Sequence, residues 1–308
     1  MDYAWRAFIA VLLLAGVAAL PAPALAQQVP DTAFNPKIEK PQYAADRGPK
    51  VVIDAAHLNF HTAEGGYAPF AKLLRIDGYR VESGKEAFTA AALAGTDVLV
   101  IANAMHEQSE QNFAPLPNLS AFTDAEIVAV EKWVRAGGSL LLIADHMPLA
   151  GHAEALAAAF GVRFQNGFAM DANRRGLITF THSAGSLTAS PVANAVNSVT
   201  TFTGQAFRID PNVDAQPLLV LPVGYQLLLP EVAFKFSEKT PRIPAAYMLQ
   251  GAIVRHGNGR AAFFGEAAMF TAQLAGPNKE PMGMNAPSAP ENARFALNLM
   301  HWLSRAPE

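Results

Sequence analysis

The sequence contains no cysteine, and charged residues make up only 16% of its 308 positions. The first absence excludes a disulfide framework, a thiolate metal site and a cysteine nucleophile. The net charge of −3, without a basic stripe, argues against a nucleic-acid partner. Hydrophobic residues account for 51% of the chain, which is typical of a globular protein. A chain of this length buries roughly three quarters of its unfolded surface, so it needs no covalent cross-links.

The first 26 residues have the pattern of a secretory signal peptide. Arg6 provides a positive charge, residues 7–20 are apolar, and Ala24-Leu25-Ala26 is typical of a cleavage site. The apolar stretch is shorter than the roughly 20 residues of a membrane span, although an uncleaved anchor is the alternative. We therefore expect a periplasmic or secreted protein with no stable membrane anchor after cleavage.

From residue 50 onward, strand and helix patterns alternate. Residues 27–49 are rich in proline and predict an extended N-terminal arm. Thr123, followed by Glu126, predicts a capping box at the start of a helix. The alternation predicts an α/β domain over residues 50–308, with a doubly wound, mostly parallel sheet. Apolar runs predict three of its buried strands: Val51–Asp54, Asp97–Ala102 and Ser139–Ala144.

The region from about 165 to 245 has a different character. Short runs rich in threonine, valine and leucine are separated by prolines, with no helical spacing of apolar residues. This pattern predicts an antiparallel-rich insertion in the same domain.

Polar side chains follow three of the predicted strands. The carboxyl ends of parallel strands share one edge of a sheet, so we expect these groups to converge there. They are Asp54, His57, Asn59 and His61 after the first strand, Asp145 and His146 after the run SLLLIA, and Glu266 after the last strand.

Three interpretations of these residues remain open. Imidazoles with carboxylates suit zinc or another divalent metal, which would activate water; the candidate ligands are His57, His61, His146 and Glu266. Without a metal, an imidazole oriented by a carboxylate would provide acid–base catalysis. Alternatively, the same groups only form hydrogen bonds with the backbone of their loops and cap helices.

The candidate catalytic residues are His57, Asp145, His146 and Glu266. The candidate substrate-binding residues are Asp54, Asn59 and Asn285, and Asn285 lies in a loop that would act as a lid.

Several motifs also carry a family resemblance over roughly residues 50–305. They are D-x-x-H-x-N-F-H, F-T-D-A-E-I, G-S-L-L-L-I-A-D-H and G-E-A-A-M-F. Together they resemble the class I glutamine amidotransferase-like superfamily in its DUF4350-type branch, which is also similar to GIFT-like domains. The resemblance implies a flavodoxin-like, three-layer α/β/α fold. Amidotransferases carry a nucleophilic cysteine where this chain has Ala144-Asp145-His146, so glutaminase activity is not expected.

These observations predict a function in the cell envelope. The leading hypothesis is an exported hydrolase, metal-dependent or using a His/carboxylate pair, that acts on a small-molecule or carbohydrate-like substrate. The alternative is a non-catalytic ligand-binding or scaffold module, as in the GIFT-like relatives. A protein partner is not predictable from the sequence.

Overall fold

The computed structural model describes residues 28–109, 116–171, 173 and 176–307, so the predicted signal peptide lies outside it. Within those ranges, no helix has the length and apolarity needed to cross a membrane. The described residues form the α-helices α1 (Ala68–Ile76), α2 (Asp124–Ala136), α3 (Leu149–Ala158) and α4 (Asn292–Ser304). The strands are β1 (Gln28–Pro30), β2 (Lys50–Asp54), β3 (Arg80–Gly84), β4 (Val98–Ala102), β5 (Ser139–Ile143), β6 (Val162–Phe164), β7 (Phe168–Met170), β8 (Ile178–Thr181), β9 (Ser198–Thr201), β10 (Phe207–Ile209), β11 (Ala215–Val220), β12 (Gln226–Leu228), β13 (Arg242–Pro244), β14 (Leu249–His256), β15 (Gly259–Phe264), β16 (Ala272–Ala275) and β17 (Glu280–Gly283).

The largest sheet has nine strands in the order β3-β2-β4-β5-β15-β14-β10-β6, with β11 also paired to β14. The pairs from β3 to β15 are all parallel. The pairs from β15 onward are antiparallel. The predicted α/β class is therefore confirmed. The antiparallel strands predicted between 165 and 245 are present, but β10 and β11 join the main sheet instead of forming a separate insertion.

Strands β4 and β5 are completely buried because each of their faces packs into a different core. Successive side chains point to opposite faces of a strand. Val98 and Val100 accordingly lie in one core, with residues of α1 and α4, and Leu99 and Ile101 lie in the other, with residues of α2 and α3. Burying each such side chain contributes about 1.5 to 3 kcal/mol.

The predicted capping box is present at the start of α2. The Thr123 hydroxyl accepts a hydrogen bond from the Glu126 amide at 3.3 Å, and the Thr123 amide donates to Glu126 Oε2 at 2.9 Å. Gly137 ends the helix with a φ of 130°, a backbone conformation that side chains disfavour.

The N-terminal arm is attached to the domain. Strand β1 pairs with β16, which pairs in turn with β17. The segment predicted as a lid is therefore partly a strand of this small sheet. Asn285 lies beside it, and its Nδ2 donates to Asp31 Oδ2 at 3.0 Å and to the Gln273 carbonyl at 3.2 Å. These bonds connect Asn285 to the arm, a structural role that differs from the predicted substrate binding.

Candidate functional site

The loop after β2 is built around His57, which bridges two carboxylates. Its Nδ1 lies 2.9 Å from Asp54 Oδ2, and its Nε2 lies 2.9 Å from Glu126 Oε1. The rings of Phe88 and Phe122 pack against the imidazole at centroid distances of 4.5 and 4.9 Å. His57 thus joins the end of a strand to the start of α2 inside an aromatic enclosure.

The two carboxylates control the charge of His57. Burial alone would lower the pKa of His57, but the hydrogen bonds and charges of Asp54 and Glu126 outweigh it and raise that pKa above its ordinary value. Burial would raise the pKa of Glu126, but the Thr123 backbone bond, the His57 bond and further bonds lower it to about 2. Because both ring nitrogens donate to carboxylates, His57 has no lone pair to offer a metal or a substrate proton.

Asp54 and Asn59 support the same loop. Asn59 Nδ2 donates to Asp54 Oδ2 at 2.9 Å, and Asn59 Oδ1 accepts from the His57 amide at 3.1 Å. These bonds agree with the interpretation in which the polar groups after β2 satisfy the backbone of their own loop. The side chains that the loop exposes are apolar: Leu58, at a positive φ of 47°, and Phe60 are 41% and 51% exposed.

The end of β5 has a more open arrangement. His146 Nδ1 lies 2.9 Å from the Met147 carbonyl, and His146 Nε2 lies 3.9 Å from Asp145 Oδ1. A carbonyl only accepts, so Nδ1 carries a proton and Nε2 of the neutral ring keeps its lone pair. The ring stacks on Phe168 at 4.5 Å. The His146 and Asp145 side chains remain 13% and 10% exposed.

Neighbouring polar groups position Asp145. Its amide donates to Asn103 Oδ1 at 2.9 Å, and its Oδ1 accepts from Thr203 Oγ1 at 3.3 Å and from the His146 amide at 2.8 Å. Asn103 holds a positive φ of 51° at the end of β4, a conformation that asparagine tolerates better than most residues. Within the described ranges, the carboxylate is fixed through Oδ1 alone, which leaves Oδ2 as its uncommitted atom.

Glu266 lies beneath this surface and is completely buried. Its carboxyl group accepts from the amides of Ala268 and Met269 at 2.9 and 2.8 Å, so it caps a 3₁₀ turn. Burial and the nearby charge of Asp145 raise the pKa of Glu266 well above its ordinary value. A buried carboxyl group that caps a turn is poorly placed to contact a substrate. The position of Glu266 therefore differs from the one that its predicted catalytic role requires.

His61 is also buried, and its Nδ1 has no hydrogen-bond partner among the residues described. The ring stacks on Tyr67 at 4.6 Å, and burial lowers the pKa of His61 to about 3. Gly66 permits this arrangement, because a Cβ there would lie 2.3 Å from Nδ1. His61 is therefore a neutral part of the core.

The predicted zinc ligands do not assemble into a metal site. In the portions of the chain that the structure covers, no three histidine or carboxylate side chains are arranged to hold a metal ion. His57 is bound at both nitrogens, and His61 and Glu266 are buried. Of the candidate catalytic residues, the described structure places Asp145 and His146 side by side at the end of β5, where their side chains are 10% and 13% exposed.

A second pair was not identified from the sequence. His152, in α3, has Nε2 2.8 Å from Ser109 Oγ and Nδ1 2.6 Å from the Leu119 carbonyl. These residues are 43 and 33 positions apart in sequence, and no local spacing connects them.

Two surface cavities have volumes of about 350 and 300 Å³. The larger is lined by the loop 230–241, and the smaller by residues around the edge strand β3. None of the seven residues predicted to be catalytic or substrate-binding lines either cavity.

Comparison with known proteins identifies relatives of the fold only. No protein-family model and no curated protein matches the sequence. The mmIFT52 N-terminal domain superposes with a TM-score of 0.58 at 15% identity, covering 82% of this chain and 97% of that one. A ThuA-like protein from Bacteroides uniformis superposes with a TM-score of 0.50 at 15% identity, over 85% and 93% of the two chains. A cytoplasmic protein from Salmonella typhimurium gives 0.50 at 13% identity, over 83% and 98%. At these identities the likeness shows the fold alone.

Proposed function

We propose that this protein is a hydrolase whose acid–base pair is His146 and Asp145. The observation that carries the proposal is the fixed tautomer of His146. Its Nδ1 is held by the Met147 carbonyl at 2.9 Å, and its Nε2 stays free beside Asp145 at a partly exposed strand end. An imidazole with one free ring nitrogen can accept a proton from water.

The pair supports a simple sequence of proton movements. Nε2 of His146 takes a proton from a water molecule as that water attacks the substrate, and the Asp145 carboxylate stabilises the imidazolium that forms. The imidazolium then returns the proton to the leaving group. Asp145 lies close enough for this electrostatic role, since the separation of 3.9 Å is within ion-pair range.

The surroundings favour a small polar substrate, such as a carbohydrate. Thr203 and Asn103 place hydroxyl and amide groups beside Asp145. Phe234 packs edge-on against His146 at 4.9 Å and is 45% exposed. An aromatic face next to polar groups matches the mixed apolar and hydroxylated surface of a sugar ring.

The test is hydrolysis of a panel of chromogenic glycosides by the purified protein. We expect His146→Gln and Asp145→Asn each to lower the rate by roughly 100-fold, the usual contribution of a positioned acid or base. His182→Gln is the matched control, because both nitrogens of His182 bond to backbone carbonyls elsewhere. A wild-type protein without activity, or variants with unchanged rates, would refute the proposal.

A second candidate is the non-catalytic ligand-binding or scaffold module. It is favoured by the saturation of His57 and the burial of Glu266, which leave two of the four predicted catalytic groups without a chemical role. In that case a panel of sugars would raise the thermal unfolding temperature of the wild type without turnover, and His146→Gln would still bind.

We also propose that the protein is exported to the periplasm or secreted. The signal-peptide pattern of residues 1–26 supports this location. Cell fractionation with an antibody, together with N-terminal sequencing of the mature protein, tests it. Full-length protein retained in the cytoplasm would contradict it.

A further inference from the structure

Ser109 and His152 have the geometry of a nucleophile and its base. The serine hydroxyl lies 2.8 Å from His152 Nε2, within the range required for proton transfer. The opposite ring nitrogen, Nδ1, lies 2.6 Å from the Leu119 carbonyl. Nucleophile, base and an orienting acceptor are therefore aligned in one chain of hydrogen bonds.

The Leu119 carbonyl fixes the donor and acceptor directions of these hydrogen bonds. Because a carbonyl only accepts, His152 Nδ1 must be the protonated nitrogen and Nε2 must carry the lone pair. Ser109 is then the donor to Nε2. Burial, with a smaller contribution from His106, lowers the pKa of His152, although the Leu119 bond acts in the opposite direction. The neutral imidazole needed in a general base is thus the state that the fold favours.

Both residues lie at the carboxyl edge of the parallel strands. Ser109 ends a 3₁₀ turn in the connection that follows β4, and His152 is in the first turn of α3, after β5. Ser109 is 5% exposed and His152 is completely buried. Both side chains are therefore shielded from bulk water, whereas Glu107 and Gln108, next to Ser109 in sequence, are exposed.

The surface beside this pair is apolar. Gln108 Nε2 donates to the Pro117 carbonyl at 3.4 Å, and Gln108 Oε1 accepts from the Leu119 amide at 3.3 Å, so the segment 116–119 lies against the serine-bearing turn. Leu116 and Leu119 in this segment are 51% and 48% exposed. Exposed leucines next to a serine suit the apolar acyl group of a substrate.

We propose that Ser109 is a nucleophile, activated by His152, for the hydrolysis of carboxylic esters with an apolar acyl chain. This centre uses neither His146 nor Asp145, so it stands apart from the acid–base pair proposed above. Because its two residues come from different connections of the sheet, the pair exists only in the folded protein.

The reaction balances with water as the only co-reactant. Ser109 Oγ forms a bond to the ester carbonyl carbon while its proton passes to His152 Nε2. The bond from that carbon to the alkoxy oxygen breaks, and the departing oxygen takes the proton from Nε2. Water then attacks the acyl-serine and gives its proton to Nε2. Collapse of that adduct releases the carboxylic acid and restores the serine hydroxyl.

The first test uses the absence of cysteine from the chain. A Ser109→Cys variant carries a single thiol, whose rate of alkylation by iodoacetamide is measured from pH 5 to 9. A histidine base gives such a thiol thiolate character below the usual pKa of about 8.5. We expect alkylation at pH 6.5 at least tenfold faster than in Ser183→Cys, where the thiol replaces an exposed serine, and we expect the advantage to disappear in Ser109→Cys/His152→Gln.

The second test uses the wild-type protein and does not depend on the folding of a variant. We expect a fluorophosphonate probe to form an adduct that mass spectrometry places on Ser109, and p-nitrophenyl butyrate to be hydrolysed. Both signals should fall at least 100-fold in His152→Gln and persist in Ser183→Ala and His182→Gln. Absence of the Ser109 adduct from folded wild-type protein, or a slow thiol in a folded Ser109→Cys variant, overturns the proposal and leaves the pair a structural link between two connections.

Discussion

Two strand ends of the same sheet each carry an aspartate and a histidine, and they use them differently. After β2, His57 donates from both ring nitrogens to carboxylates. After β5, His146 is fixed at one nitrogen and keeps the other beside Asp145. The first histidine is held as a cation in an aromatic enclosure, whereas the second is in a state that can exchange a proton with a substrate.

The position of a histidine at a strand end therefore does not determine its role. Its role depends on which hydrogen-bond acceptors surround the ring. His57 faces Glu126 from α2 as well as its own Asp54, so its second nitrogen is consumed by a residue 69 positions away. In the described structure, no carboxylate from another element bonds to the second nitrogen of His146. The ring faces Phe168 and Phe234 instead.

The strongest test of this contrast compares the two histidines directly. We expect His57→Gln to lower the free energy of unfolding by about 3 to 5 kcal/mol, because it leaves buried carboxylates without their cation. His146→Gln should cost only about 1 kcal/mol, the value of one neutral hydrogen bond. Urea denaturation followed by circular dichroism measures both. Equal losses in the free energy of unfolding would mean that the two histidines stabilise the fold to the same extent.

Removing the partner of His57 should have the next largest effect. Glu126→Gln keeps the length and the capping position of the side chain but removes its charge. We expect a loss of about 2 kcal/mol in the free energy of unfolding, in the range of hydrogen bonds to charged groups. Asp124→Asn, at an exposed position in the first turn of the same helix, is a control for charge removal. A loss no greater than in the control would show that the His57 bridge contributes little.

The pH dependence separates the two regions further. The pKa of His57 is raised in the folded state, so its stabilisation is present below the unfolded value of 6.5 and is lost as pH rises through the folded value. The pKa of Glu126 is lowered to about 2, so its stabilisation is present above 4.5 and is lost as pH falls toward 2.

The stability difference between wild type and His57→Gln should therefore be greatest between pH 4.5 and 6.5 and decline on either side. A single proton limits each decline to about 1.4 kcal/mol per pH unit. Thermal or urea unfolding of both proteins across pH 3 to 9 measures the difference. A flat difference would show that the bridge does not depend on charge.

The smallest expected effect separates the helix cap from the bridge. Thr123→Ala removes the hydroxyl of the capping box and should cost about 1 kcal/mol. It leaves the bond between His57 and Glu126 Oε1 in place, because the cap uses mainly Oε2. Unfolding measurements on Thr123→Ala, Glu126→Gln and the double variant would reveal the coupling. Additive losses would indicate that the two oxygens act independently.

Local patterns predicted the elements whose signals lie within a few residues. The capping box of Thr123 and Glu126 and the buried run of β5 both follow from the spacing of their residues. The location of a polar edge was also predictable, because parallel strands end together. These features depend on backbone geometry that neighbouring residues specify.

The partners of the polar groups were not predictable in the same way. The spacing of Thr123 and Glu126 predicts the helix cap, but no residue near Glu126 in sequence indicates its bond to His57. The pair of Ser109 and His152 is likewise created only when the connection after β4 folds against α3. Long-range hydrogen bonds of this kind decide which histidine is structural and which is reactive.

The small sheet of β1, β16 and β17 has a consequence for how the protein is made. Val29 pairs with Leu274, and the Ser139 hydroxyl donates to the Leu303 carbonyl, 164 residues later. Contacts between such distant segments slow folding, because a long loop must close before they form. The domain therefore cannot complete its fold until almost the entire chain has been synthesised. Until the C-terminal elements have been made, the contacts that fix β1 and the start of β5 in the native structure cannot form.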